Sequence, residues 1–460
     1  MSNDRPAREG ARYRFGPRER GGTLAGWRAG QILTVALGLL VGVVVLRAEP
    51  NAIGVVMAVT VLVACGALAT WPVSGRTGDQ WLPVMARWGH RRMGPQGKRR
   101  LNSLGGLRLL SLGARSMGVV HDHRRGTLTA ALALCGQGFA LLGPDEQDRR
   151  VGGWSSVLAT LAQEGSLIRR VQWLAASFPD QGHGVRSYLS AHTEADPASA
   201  CVASYDALLD EIDADARTHD VVLAVQVRVT KSVEAGEAIL QRELASLSRL
   251  LADADVVVDG VLTVDDLASR LLRTYEQHPA TTDRTSAVAD PWPMAMEEEW
   301  AHVRVDGLVH ATFWVAEWPR TEVRSDFLAP VLLASVRSTL SVVMQPLGPE
   351  KAVRKVEASR TADLADAELR RRSGFMSTAR HSRESEVLAR REAELADGHA
   401  SFRYSAFITV SAPTEAELVG ACDVVQHAAS QSRLVIRRLY GDQASAYTCT
   451  LPLARGLSGR

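Results

Sequence analysis

Motifs that carry nucleotide or hydrolase chemistry are missing from this 460-residue chain. It has no G-x-x-x-x-G-K-[ST] phosphate loop, and the nearest string, Gly94–Arg99, lacks both the spacing and the magnesium-binding hydroxyl. It also has no G-x-S-x-G nucleophile elbow and no H-E-x-x-H zinc motif. We therefore predict that the chain is neither a nucleotide motor nor an enzyme, and we assign it no catalytic residue.

Cysteine and lysine are both scarce. The cysteines are five, widely spaced and without a C-x-x-C pair: Cys65, Cys135, Cys201, Cys422 and Cys449. We therefore expect neither disulfides nor a zinc site. Four of the 53 basic residues are lysine and the rest are arginine, which indicates codon bias in a high-GC genome such as that of an actinobacterium.

Two polar clusters have residue types that could bind a metal ion. His121 and His123 stand two residues apart, on one side of a predicted strand, and could share a metal. The spacing of residues around this pair identifies no third metal ligand, so a polar turn is the favoured interpretation. The acids of Asp210–Asp215 spread around a predicted helix, which is typical of a solvated face rather than a cation site. We predict no metal-binding or cofactor-binding residue and no cofactor.

Two uncharged apolar runs, Ala29–Leu46 and Ile53–Val73, dominate the first hundred residues. Each has about the length that a helix needs to cross roughly 30 Å of hydrocarbon. The short connection Arg47–Ala52 leaves room only for a tight turn. Because lipid cannot satisfy backbone amides, the pair predicts two antiparallel transmembrane helices. A signal peptide is not favoured, since a second apolar run follows the first at once.

Basic residues flank this hairpin on both sides. Seven arginines precede the first run, seven Lys or Arg follow the second before position 101, and the turn contains only Arg47. The positive-inside rule then places both chain ends in the cytoplasm of a multi-pass protein of the cell membrane. We expect the flanking charges to contact anionic membrane lipid, and we expect no direct nucleic-acid binding.

Strand and helix patterns alternate after the hairpin, so the predicted fold class is α+β with mixed sheets. The predicted segments are a basic N-terminus (1–28), the hairpin (29–73), a basic juxtamembrane connector (74–113), a first cytoplasmic lobe (114–280), a linker or exposed loop (281–299) and a second lobe (300–460). Glu350–Asp397 mixes charges of both signs, which predicts a long helical arm that projects from the second lobe.

The predicted strands are Ser116–Asp122, Gly126–Leu134, Gly138–Leu142, Leu167–Ala175, Val221–Val229, Val256–Leu262, Trp300–Val305, Val309–Trp318, Leu340–Pro346, Phe402–Ser411 and Leu434–Tyr440. The predicted helices are Asp145–Gln163, Pro197–Thr218, Glu234–Ala254, Val264–Tyr275, a segment near Ser325–Ser338, and Thr414–Ser430. Thr263 and Asp266 have the spacing of a capping box. The residues after the last strand are predicted to be a short tail.

Five parts of the sequence carry a resemblance to conjugation proteins. Tyr13–Arg20 resembles the opening of an actinobacterial membrane-protein family from conjugation-type gene clusters, and the hairpin is similar to the PrgI-like subunit of type IV secretion systems. The cytoplasmic region resembles the N-terminal domain of the VirB-family conjugation ATPase. That similarity lies in Arg169–Trp173, in Tyr205–Leu209 leading into Val221–Val229, and in Gly441–Gln443 with Leu451–Leu453.

The resemblance implies a scaffold without its own motor. In the ATPase family a Leu-Pro-Leu-like segment ends the N-terminal domain just before the motor, whereas this chain stops a few residues later. We expect a separate ATPase, other membrane subunits and an oligomeric assembly as partners. One alternative is an EccE-like structural component of type VII secretion. A further alternative is a membrane-tethered glycosyltransferase-like enzyme, which would need an acidic metal motif on a loop.

Overall fold

The computed structural model describes residues 29–71, 77–93, 104–113, 116–136, 138–163, 165–179, 192, 199–213, 217–229, 232–276, 291–348, 350, 352–354, 357, 361 and 401–456. The chain forms two compact units, which are considered separately. The hairpin unit comprises Gly16–Lys98 and Leu347–Ser401, and the sheet unit comprises Met1–Phe15, Arg99–Pro346 and Phe402–Arg460.

The hairpin unit contains α1 (Ala29–Ala48), α2 (Ala52–Thr70) and α3 (Gly78–Met93). Both α1 and α2 are long and apolar enough to cross a membrane. They pack closely at Gly38, where an added Cβ would lie 2.8 Å from the Cβ of Cys65. Small residues at such a crossing allow helix backbones to approach each other. The side chain of Gln31 donates to the Ala69 carbonyl at 2.7 Å and joins the open ends of the hairpin.

Twelve β-strands lie in the described part of the sheet unit. They are β1 (Leu107–Leu112), β2 (Met117–Asp122), β3 (Thr127–Cys135), β4 (Ile168–Pro179), β5 (Arg217–Arg228), β6 (Val257–Val261), β7 (Met296–Glu298), β8 (Val303–Val305), β9 (Leu308–Glu317), β10 (Ser338–Leu347), β11 (Ser401–Ala412) and β12 (Val435–Arg438). The helices are α4 (Pro144–Leu161), α5 (Ala200–Asp213), α6 (Val233–Asp253), α7 (Val264–Tyr275), α8 (Ala329–Leu332), α9 (Glu415–Gln431) and α10 (Gln443–Tyr447).

These strands form one large sheet in the order β1-β2-β3-β5-β4-β10-β11-β9-β8-β7, with β6 paired to β3 and β12 paired to β9. The pairs with a described register are antiparallel. The expected α+β class is therefore confirmed, with a large antiparallel sheet where mixed sheets were predicted. The strands β3 and β4, which α4 connects, are not neighbours in the sheet, because β5 lies between them and pairs with both in antiparallel fashion.

The strand order repeats on either side of the β4–β10 pair. In the first half the order β6-β3-β5-β4 matches β12-β9-β11-β10 in the second, and β2 and β8 occupy equivalent places beside β3 and β9. Each half has a β-α-β-β-α-β core of the ferredoxin-like, split-βαβ type. Seven residue pairs, from Ser177 with Ser338 to Val171 with Met344, join the halves into a continuous sheet.

Alternation along the strands sends side chains to two different cores. In β5, Leu223, Val225 and Val227 face the layer that contains α4 and α6. Val222 and Ala224 face the opposite layer, which contains α7 and the last residues of the chain. This is the two-residue period of a strand buried on both faces. The layer over the second half of the sheet contains α8 and α9.

Local capping signals explain where several helices begin. The Thr263 side chain accepts from the Asp266 amide and Asp266 accepts from the Thr263 amide, so the predicted capping box is confirmed. Ser232 accepts from the Ala235 amide at the start of α6. Thr414 does the same for Glu417 at the start of α9. Each of these hydroxyls satisfies a backbone donor that has no partner within its own helix.

Several sequence predictions are wrong. Gly138–Leu142 contains a 3₁₀ turn instead of a strand, because Gly138 adopts a positive φ of 56°. The helix predicted near Ser325–Ser338 is reduced to the single turn of α8. The predicted helix Pro197–Thr218 ends at Asp213 because β5 already begins at Arg217.

Other predicted segments contain more structure than expected. The basic connector includes α3 and β1, and the end of the predicted linker forms β7, which pairs with β8. The first part of that linker, 281–290, lies outside the described residues, as do Tyr13–Arg20 and Gly94–Arg99. Of the predicted arm Glu350–Asp397, only residues 350, 352–354, 357 and 361 are described.

Candidate functional site

A row of buried polar side chains crosses the sheet on the face opposite α4, α6, α8 and α9. We call the polar row the following six residues, one from each of six neighbouring strands: Thr129, Gln226, Gln172, Ser341, Thr409 and Thr312. None is more than 3% exposed. Thr129 is paired directly with Gln226, and Thr409 with Thr312. Buried polar groups are costly unless they are hydrogen-bonded, so the row must have partners.

Those partners come largely from the end of the chain. We call Gln443–Arg455 the C-terminal segment; apart from the half-buried Ser445, all of its residues are buried. It comprises α10, a 3₁₀ turn at Thr448–Thr450 and an irregular stretch after it. The short tail predicted from sequence is therefore wrong, since this segment is part of the core and lies over the polar row.

Gln172 makes the densest set of contacts between the polar row and the C-terminal segment. Its amide nitrogen donates to Ser341 Oγ at 2.8 Å and to the Cys449 carbonyl at 2.9 Å. Its amide oxygen accepts from the Ala454 N–H at 2.6 Å. Ser341 Oγ also donates to the Cys449 carbonyl at 2.7 Å. The side-chain amide of Gln172 thus supplies the hydrogen bonds that a neighbouring strand would supply to the backbone of Cys449 and Ala454.

The two ends of the polar row hold the same segment at other points. Gln226 Nε2 lies 3.2 Å from the Leu453 carbonyl and 3.3 Å from Thr129 Oγ1. On the other side, Thr409 Oγ1 lies 2.8 Å from both Thr312 Oγ1 and Thr450 Oγ1. The row therefore binds peptide backbone and hydroxyl groups along its whole length.

Gln443 fixes the start of the segment against β9. Its side-chain oxygen accepts from the Thr312 N–H at 2.8 Å, and its side-chain nitrogen donates to the Leu439 carbonyl at 2.9 Å. Because it is fully buried and uses both ends of its amide, it acts like an added strand residue.

A buried aromatic contact lies beside this row. His310 is completely buried, and its ring lies 4.5 Å from that of Tyr447. His310 Nδ1 contacts Ser411 Oγ at 2.8 Å, whereas Nε2 has no hydrogen-bond partner among the described residues. Burial, and then the charge of Arg337, lower the pKa of His310 to about 3. The imidazole is therefore neutral in the folded protein near neutral pH.

The buried thiol of the segment is also uncharged. Burial raises the pKa of Cys449 to about 12, although nearby arginines oppose the shift. Since the thiolate is the reactive form of cysteine, this thiol is a poor nucleophile at neutral pH. The contacts described at this site are hydrogen bonds to peptide and hydroxyl groups.

The two histidines considered as metal ligands do lie together, with ring centroids of His121 and His123 3.9 Å apart. Asp122 between them is engaged elsewhere, because it accepts a buried hydrogen bond from Arg455 at 2.6 Å and one from the Arg125 amide at 3.1 Å. Throughout the described residues, no three His, Cys, Asp or Glu side chains are grouped to hold a metal ion. The second cluster, Asp210–Asp215, reaches the end of α5 at Asp213, and 214–216 lie outside the described residues.

The segments that carry the sequence resemblance occupy different parts of the sheet unit. Arg169–Trp173 lies on β4, Tyr205–Leu209 on α5, and Gly441–Gln443 with Leu451–Leu453 at and within the C-terminal segment. Sequence analysis missed the polar row. Its signal was a polar residue inside an otherwise apolar strand, as at Gln172 and Gln226. No family model matches the chain, and no curated protein matches it either.

Proposed function

We propose that this protein is a membrane-anchored structural component of a conjugation or type IV secretion-like apparatus, and that it holds a separate cytoplasmic ATPase at the channel. The observation that carries the proposal is an apolar hairpin joined to a large α+β unit. Only 11% of the apolar window in α1 and 17% of that in α2 is buried by protein. Helices so apolar and so little covered require another apolar phase, and a bilayer supplies it.

The proposed topology has both chain ends in the cytoplasm. It is supported by the fourteen basic residues that flank the hairpin, against Arg47 alone at its turn. The sheet unit then lies inside the cell, where the Cys449 thiol stays reduced.

The role as a scaffold is supported by the chemistry of the polar row. The hydrogen bonds described for its side chains hold the chain's own C-terminal segment on the sheet. The similarity of Arg169–Trp173 and Leu451–Leu453 to the VirB-family ATPase domain favours an ATPase as the partner. The same order of hairpin and α+β unit also supports the EccE-like alternative, in which the partner is a multi-domain type VII ATPase.

Cross-linking in native membranes tests the partner. The tagged full chain is cross-linked, solubilised in detergent and purified, and its partners are identified by mass spectrometry. We expect a stand-alone conjugation-type ATPase together with other membrane subunits. A multi-domain type VII ATPase would support the alternative, and recovery without any ATPase would refute both. A variant in which a short Gly/Ser bridge replaces Glu350–Asp397 should recover less ATPase while its sheet unit keeps the same melting temperature.

Reporter insertion tests the topology. A reporter that is active only outside the cytoplasm should give signal when inserted between Glu49 and Asn51, and none when inserted at Gly94. Signal at Gly94 would contradict the two-span anchor.

A further inference from the structure

Four strand ends bring arginine side chains together at one end of the sheet. Arg228, the last residue of β5, is paired with Thr127, the first residue of β3. Thr127 is in turn paired with Asp122, the last residue of β2. β4 begins in the same place, because Ile168 is paired with Val227.

A β-bulge at the start of β4 adds to this concentration of charge. The register shifts between Ile168 and Arg170, so Arg169 is the extra residue of the bulge. Bulges redirect side chains at strand ends. We call the arginine cluster the residues that meet here: Arg125, Arg169, Arg170, Arg228 and Arg455.

Two members of the cluster share one carboxylate. Asp122 contacts Arg455 at 2.6 Å and Arg125 at 3.8 Å. Within the part of the chain that the structure describes, Arg169, Arg170 and Arg228 form no ion pair with a carboxylate. Three of the five arginines thus have no carboxylate partner among the described residues.

The arginines are close enough to affect one another. Burial lowers the pKa of Arg169, and the charges of Arg228 and Arg125 lower it further. Burial lowers the pKa of Arg170 in the same way, with Arg169 and Arg125 as the next causes. Guanidinium groups stay protonated in proteins, so this repulsion persists in the folded state.

We propose that the arginine cluster binds a phosphate group, either free in solution or carried by a phospholipid headgroup. Guanidinium forks match the oxygens of phosphate and bind them with paired hydrogen bonds. The exposure of the cluster is graded, from 41% for the Arg125 side chain to 7% for that of Arg455. A site that is open on one side and closed on the other suits a compact anion better than an extended polymer. This proposal does not rest on the secretion role.

Thermal unfolding and calorimetry of the full chain in a neutral detergent test the site. The starting buffer is free of phosphate and its ionic strength is held constant with sodium chloride. The probes are inorganic phosphate and dihexanoyl phosphatidic acid below its micelle concentration. We expect either probe, or both, to raise the melting temperature in a saturable way. An effect of the lipid alone would assign the phosphate to a headgroup, and an effect of both would show that the phosphate group itself is recognised.

Charge-matched variants make the test specific. In the variant Arg169→Gln with Arg228→Gln, we expect at least a tenfold loss of phosphate affinity. The same variant should melt at a higher temperature than the wild type in phosphate-free buffer, because like-charge repulsion is relieved. The control variant carries Arg242→Gln and Arg249→Gln, which remove the same amount of charge at two exposed positions of α6. This control should bind phosphate with the same affinity as the wild type.

Other results would overturn the proposal. They are a melting temperature that responds to neither probe, a response that sodium chloride reproduces, or equal losses in the cluster and control variants. If the double variant does not fold, the single variant Arg228→Lys tests the site instead. It keeps the positive charge but loses the paired N–H donors of the guanidinium group. Unchanged phosphate affinity in this variant would refute the site. Binding of a 20-nucleotide single strand without any response to phosphate would replace it with a nucleic-acid surface.

Discussion

Replacing Gln172 with leucine should release the C-terminal segment from the sheet. Gln172→Leu keeps the side-chain volume close to that of glutamine but removes both polar ends of the amide. Ser341 and the Cys449 carbonyl can still bond to each other at 2.7 Å. The Ala454 N–H cannot, because the hydrogen bond described for it goes to Gln172. The variant therefore leaves one buried backbone donor without a partner.

The cost follows from these contacts. An unsatisfied buried donor costs about 1–3 kcal/mol, and each of the two lost donor bonds contributes about 1 kcal/mol. We expect the free energy of unfolding to fall by about 3–5 kcal/mol. For a large domain about 2–4 °C of melting temperature corresponds to 1 kcal/mol, so the midpoint should fall by roughly 6–20 °C.

Two glutamine variants set the scale. Gln226→Leu loses only long contacts of 3.2 and 3.3 Å, so it should cost about 1 kcal/mol. Gln241→Leu on the exposed face of α6 loses a surface bond to Glu237 and should cost less than about 0.5 kcal/mol.

Thermal unfolding of the detergent-solubilised chain measures how strongly each of the three variants is destabilised. Hydrogen exchange at residues 449–454 measures whether the C-terminal segment leaves the sheet. If Gln172→Leu melts within about 2 °C of Gln241→Leu and hydrogen exchange at residues 449–454 is unchanged, the polar row does not hold the segment.

Two further predictions concern the hairpin and the buried histidine. Gly38→Ala should lower the melting temperature of the detergent-solubilised hairpin unit, because the new Cβ would lie 2.8 Å from the Cβ of Cys65. The control Gly66→Ala should leave the melting temperature unchanged, because a Cβ added there has no atom within 4 Å. Equal effects of the two variants would refute the close crossing of α1 and α2. The pKa of His310 is about 3 in the folded protein. Below the ordinary histidine pKa of about 6.5, the unfolded state therefore takes up a proton that the folded state does not, and stability is lost as the pH falls. The loss should approach about 1.4 kcal/mol per pH unit between pH 6 and 4, and the pH dependence of unfolding in His310→Gln should be flatter by that amount; parallel curves would show that His310 is solvated.

The regular elements could be predicted because their signals are local. Apolar β-branched runs identified β5 and β10, and the Thr263–Asp266 spacing identified the start of α7. Each signal reports a preference of a few neighbouring residues, which the tertiary structure then retains.

The C-terminal segment could not be predicted in this way. Gln443, Thr448 and Thr450 give it a polar composition, and it has neither a helical nor a strand period. It is buried because Gln172 and Gln226, more than two hundred residues away in sequence, supply hydrogen-bond partners for it. The polar row was hidden for the same reason, since each member is an isolated polar residue in its own strand.

The C-terminal segment also makes the two halves of the sheet depend on each other. It bonds to Thr409 in the second half and to Gln226 in the first, and the β4–β10 ladder runs between them. If the halves separated, β4 and β10 would each expose an unpaired strand edge, and the buried amides of Gln172 and Gln226 would lose their partners. The sequence suggested two lobes joined by a linker, and from the hydrogen bonds that cross the β4–β10 pair we predict that the two halves of the sheet unfold together.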